Sequence, residues 1–76
     1  MPTVKSKPLA ERFRENVARI LREKDMLQID LADMMDCHKS QVSHVLSGRQ
    51  IPTLDAVDRW ASALDVSAIE LLRDLT

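Results

Sequence analysis

The apolar and polar positions of this chain divide it into stretches with a helical period. Leu9, Phe13, Val17, Ile20 and Leu21 recur at helical spacing, and Arg12, Arg14, Glu15, Arg19, Arg22 and Glu23 fill the positions between them. An α-helix turns once in about 3.6 residues, so this spacing gathers the apolar side chains on one face. The predicted first helix covers residues 8–24, with Pro8 in the first turn, where a missing N–H costs nothing. Asp25-Met26-Leu27 is a short connection. A second helix follows over 28–35, with Leu31, Ala32 and Met35 inward. Asp36-Cys37-His38 reads as a three-residue turn. The third helix covers 39–47, with Val42, Val45 and Leu46 inward, and Gly48 supplies a left-handed stop. After a loop over 49–52, Thr53 is a good N-cap for a fourth helix over 54–64, whose inner face is Leu54, Val57, Trp60, Ala61 and Leu64. Ser67 and Glu70 have capping-box spacing, so a fifth helix starts near 68, with Ile69, Leu72 and Leu75 inward. The expectation is an all-α, five-helix domain over residues 8–76 behind a flexible basic arm over residues 1–7. Its core is expected to hold Phe13, Val17, Ile20, Leu31, Val42, Val45, Leu54, Trp60 and Leu64.

Composition agrees with this reading and narrows the function. A chain of 76 residues makes one small domain with a minimal core, so there is no room for a catalytic cleft between two domains. Phe13 and Trp60 are the only aromatics and Gly48 the only glycine, which favours helices over strands. No apolar run has the length of a membrane span. Lys5 and Lys7 are followed by no apolar core, so the N-terminus does not read as a secretory signal. The single cysteine forms no internal disulfide, and a reducing cytoplasm is the expected location. The net charge of −1 is unlike that of many nucleic-acid binders, but the charge is unevenly spread. Residues 1–24 hold seven Lys/Arg against three Glu, residues 25–36 four Asp, residues 37–50 Lys39 and Arg49, and residues 51–76 two Arg against five acids. A phosphate-facing surface would draw on the first and third blocks.

Two short helices joined by a three-residue turn form a DNA-binding supersecondary unit. Spacing alone is a common pattern; the outward face of the third helix is more informative. At 100° per residue, Val42, Val45 and Leu46 cluster on one side, and Ser40, His44 and Ser47 lie opposite, flanked by Gln41 and Ser43. Lys39 stands at the N-terminal tip, and no acid lies between Cys37 and Gly48. Short hydrogen-bonding side chains without negative charge can approach base edges and phosphates. Ordinary solvated helices usually carry Glu/Lys pairs four residues apart, and this one has none.

At these residues the chain resembles the lambda-repressor (Cro/CI, XRE-type) family of helix-turn-helix transcriptional regulators. Gln28-Ile29-Asp30-Leu31-Ala32-Asp33 is similar to the opening of the family's second helix, and Lys39-Ser40-Gln41-Val42-Ser43 to its recognition helix. Leu46-Ser47-Gly48-Arg49 followed by Pro52-Thr53-Leu54 resembles its loop, and Trp60 through Ser67 its fourth helix and following turn. The resemblance implies a lambda-repressor-like fold and a dimeric, sequence-specific repressor of phage or prophage type on a near-palindromic operator in double-stranded DNA. It makes Lys39, Ser40 and His44 the base-reading residues. Gln28, Ser47 and Arg49 fall at phosphate-contacting positions, with Gln41 and Ser43 in support, and Lys5 and Lys7 resemble a basic DNA-binding arm. The family usually places Ser or Thr at Leu27 and His38 to cap helices, and glycine at Asp25 and Asp36. A neutral His38 can accept a backbone N–H in place of the missing hydroxyl.

Other chemistry finds little footing. Cys37, His38 and His44 lack the number and spacing of zinc ligands, since His38 and His44 do not share a helix face. The four Asp of 25–36 lack the spacing of a calcium loop. A Cys-His nucleophile pair has no oxyanion site to work with. Met26, Met34 and Met35 read as core or core edge, and Cys37 as filling an apolar slot at the turn. No metal, cofactor or small-molecule ligand is expected, nor an enzyme. Two rival readings share the scaffold: an antitoxin-like module whose partner is a protein, and a transcription activator, because Lys39-Ser40-Gln41 also resembles the lambda-type lysogeny activator.

Overall fold

The computed structural model describes residues 8–74, and the basic arm expected over 1–7, with Lys5 and Lys7, lies outside them. Five helices follow in order: α1 (Leu9–Glu23), α2 (Gln28–Met34), α3 (Lys39–Leu46), α4 (Leu54–Leu64) and α5 (Ala68–Leu72), with no strand among the described residues. α2 and α3 pack on each other as the helix-turn-helix pair, while α5 packs on α1 and α4. Between these layers lie Phe13, Val17, Ile20 and Leu21 of α1, Leu31 and Ala32 of α2, and Val42 and Val45 of α3. Val57, Trp60, Ala61 and Leu64 of α4 and Leu71 of α5 complete the core. The rings of Phe13 and Trp60 meet edge to face, 5.1 Å between centroids and 66° between planes, an arrangement that adds to their area burial.

The chain reverses where left-handed backbone is available. Asp25, Asp36 and Asp65 adopt φ of 56°, 54° and 59°, and Gly48 follows α3 at 86°. Asp tolerates this region better than most side chains, so Asp36 can make the turn between α2 and α3. Helix ends are closed from several directions. Thr53 Oγ1 accepts from Ala56 N at 3.1 Å, and Ser67 Oγ accepts from Glu70 N at 3.3 Å. Leu27 has no capping oxygen, and Asp30 reaches back instead, its Oδ2 accepting from Leu27 N at 2.9 Å. At α3 the expected side-chain cap does not form. The His38 ring is exposed and makes no capping bond, and Gln41 N donates to the His38 carbonyl at 3.0 Å.

Four apolar expectations are corrected. Leu54 is 84% exposed and Leu9 57% exposed. Each opens its helix, and helical side chains lean toward the N-terminus, which carries these two past the end of the packed stripe. On α5, Ile69 is 77% exposed while Leu71 is fully buried; a five-residue helix is too short for its period to fix a face. Met34 is exposed on α2, whereas Met26, Met35 and Cys37 pack half-buried against the core.

The polar residue that sets the position of α5 is Asn16, which is completely buried. Its Nδ2 donates to the Leu71 carbonyl at 3.0 Å and to the Arg73 carbonyl at 2.9 Å, and its Oδ1 accepts from Arg19 Nη2 at 3.4 Å. One amide thus ties the last turn of α5 to the middle of α1. No helix among the described residues is long and apolar enough to cross a membrane.

Candidate nucleic-acid interface

α3 turns Val42 and Val45 into the core, and that fixes what its other side presents. Lys39, Ser40 and His44 are exposed, as are Ser47 and Arg49 just beyond the helix. The side chains of Lys39, Ser40, His44 and Arg49 form no hydrogen bond or ion pair among the described residues. They are therefore available to an external partner without first breaking an internal contact. Ser47 Oγ donates to the His44 carbonyl at 3.2 Å, which closes the last turn of α3. Arg49 N and Gln50 N donate to that same carbonyl at 2.9 and 3.2 Å, so the exit from α3 is a tight, well-bonded turn. Gly48 makes it possible with a φ of 86°, a conformation glycine adopts without steric cost.

The supporting residues separate into two groups. Gln28 is the first residue of α2, half-buried, and its amide has no partner among the described residues. Ser43 is half-buried on the flank of α3. Gln41 stands on the opposite flank, in a cleft lined by Asp33, Asp36, Cys37, His38 and Arg59. Asp33 of α2 and Asp36 of the following turn thus lie beside Gln41, while α3 itself carries no carboxylate.

Arg59 was not among the expected site residues. From α4 its Nη2 donates to the carbonyl of Met35, the C-cap of α2, at 3.4 Å. It braces the end of α2 just before the turn that sets the direction of α3. A cation close to a helix C-terminus is favourable, but nothing in the α4 sequence pattern reveals a contact with a residue so distant along the chain.

The helix-turn-helix family model matches residues 17–71, a span from the middle of α1 to α5 that includes the whole α2–turn–α3 unit. The chain belongs to the helix-turn-helix family. It is a DNA-binding regulator of transcription of the lambda-repressor-like, XRE type. Among solved structures, a hypothetical transcription factor NHTF from Neisseria is similar in fold, with a TM-score of 0.84 at 23% sequence identity over 99% of this chain and 90% of that one. No curated protein matches this sequence. The second helix of the matched helix-turn-helix unit is α3.

Proposed function

We propose that this helix-turn-helix protein is a sequence-specific repressor of phage or prophage type. It binds a near-palindromic operator as a homodimer and occludes a promoter. The observation that carries this reading is the outer side of α3: exposed Lys39, Ser40 and His44, unpaired among the described residues, on a helix without a carboxylate. Lys39 can donate to guanine O6 and N7, Ser40 can donate or accept, and neutral His44 can do either. Gln28, Ser47 and Arg49, with Gln41 and Ser43 in support, would hold the backbone and fix the register of α3 on the bases.

A single short helix reads few base pairs, and two-fold pairing doubles the site. From the sequence, pairing is expected through the fifth helix and its flanks, with Leu71 and Leu75 as leftover apolar surface; Leu71 is instead buried, and Leu75 lies outside the described residues. The exposed apolar residues that support pairing are Ile69 on α5 and, around a groove that Leu72 also lines, Leu9, Ile51 and Leu54. Sequencing the fragments retained from a random duplex library tests the reading. The expected motif has two symmetric halves about one helical turn, ~34 Å, apart; enrichment of no motif contradicts sequence-specific binding. Light scattering on the enriched DNA should give two chains per duplex, and Ile69→Asp should shift it toward one. One chain per duplex for the wild-type protein, with single half-site footprints, contradicts the homodimer. A promoter fusion should show reduced expression when the protein is present, and increased expression would favour an activator on the same scaffold.

A further inference from the structure

Arg14 lies outside every role assigned so far, yet its guanidinium sits at the exit of α3. A Cβ on Gly48 would stand 3.7 Å from Arg14 Cζ and 3.8 Å from its Nη1, so the head of the side chain lies against the bare backbone of this glycine. Gly48 is itself exposed and Arg14 half-buried, which places a packed stem on α1 and a charged head at a surface turn. Capping the end of α3 would be the ordinary task of such a cation, but Arg14 bonds none of its carbonyls, and three of the last four are already satisfied from the backbone. The carbonyls of Ser43, His44 and Val45 accept from Ser47 N, Arg49 N and Gly48 N at 2.9, 2.9 and 3.2 Å. Arg14 makes no hydrogen bond or ion pair with any described residue. Its donors are left unused against Gly48, the residue before Arg49 in the chain.

We propose that Arg14, positioned against Gly48 by its stem on α1, grips a DNA backbone phosphate at the α3–α4 turn together with Arg49. The ligand is the phosphodiester of duplex DNA, which a planar guanidinium meets with two parallel N–H donors. The absence of a side chain at Gly48 then serves two ends: the left-handed turn, and the close approach of a cation from another helix. This proposal rests on the DNA-binding reading above but needs no knowledge of the operator, because a phosphate contact is blind to sequence.

The test is a binding titration on random-sequence duplex DNA at several salt concentrations, with melting followed by circular dichroism. Arg14→Met keeps an apolar stem and removes the charge. It is expected to bind all sequences more weakly by the same factor, with the slope of log affinity against log salt reduced by about one. Arg14→Lys keeps the charge and is expected to keep the wild-type slope. A slope unchanged in Arg14→Met overturns the role of Arg14 while leaving the wild-type binding mode intact. A lysine variant that loses the slope as the methionine variant does also overturns it, since packing rather than charge would then be at stake. If the wild-type protein holds no DNA at all, the proposed function itself falls, and the role of Arg14 falls with it.

Discussion

Trp60→Ala is expected to cost about 3–5 kcal/mol of folding stability, the range for truncating a large buried aromatic. A domain of this length has roughly 4–11 kcal/mol in hand, so the variant stands near unfolding at ordinary temperature. The position explains the size of the effect. Trp60 is buried in α4, meets Phe13 of α1 edge to face, and with Val42 and Val45 lines the cleft between α3 and α4. Removing the indole therefore takes support from three helices at once, including α3. Urea unfolding followed by far-ultraviolet circular dichroism measures the loss. A change of under about 1 kcal/mol would contradict a core built around this residue.

The second large effect is expected at Asn16, for a different physical reason. Its side chain contributes little apolar area, but it satisfies the buried Leu71 carbonyl and the neighbouring Arg73 carbonyl. Asn16→Ala leaves a buried acceptor without a donor, which costs about 1–3 kcal/mol. α5 has five residues and is far too short to hold its shape unaided. The loss should therefore concentrate there, with amide exchange over residues 68–72 accelerating more than in α1 or α4. Asn16→Asp is expected to cost more than alanine, because an ionised carboxylate faces two carbonyl oxygens with no proton to offer. An aspartate variant as stable as the wild type would show that the two carbonyls do not depend on this donor.

The same two residues show what a sequence discloses and what it conceals. Trp60 falls on a clear stripe with Val57, Ala61 and Leu64, so its burial follows from period alone. Asp36 sits where the chain must turn left-handed between two helices, and its φ of 54° agrees with that need. The outer face of α3 was legible because burying Val42 and Val45 leaves one possible orientation for Ser40 and His44. Asn16 lies within the apolar stripe, next to Val17 and three residues after Phe13, and that misplaced polarity is a signal of a buried bond. Its partners, however, are 55 and 57 positions away, and no local pattern names them. The orientation of α5 failed for the same reason. Its register is set by Leu71 and by the Asn16 amide, not by a repeat within five residues. Arg14 reads as one of the polar residues between the apolar positions of α1, and Arg59 receives no role from the sequence, because only the folded chain brings Arg14 to Gly48 and Arg59 to the end of α2.

In the proposed function α3 reads bases while the turn after it holds the backbone. This reading is tested most directly by titrating Lys39→Ala and Arg49→Ala on the enriched duplex and on a scrambled one, at several salt concentrations. Lys39→Ala should lose about 1–3 kcal/mol on the enriched site, relax the preference at one base position, and lose much less on scrambled DNA. The scrambled duplex isolates the part of the lysine effect that is plain charge. Arg49→Ala should weaken both DNAs alike and reduce the salt slope by about one. Equal losses for both variants on both duplexes would contradict base reading by α3. No loss for either variant would point instead to a protein-interaction module that keeps this scaffold without using its DNA-facing side.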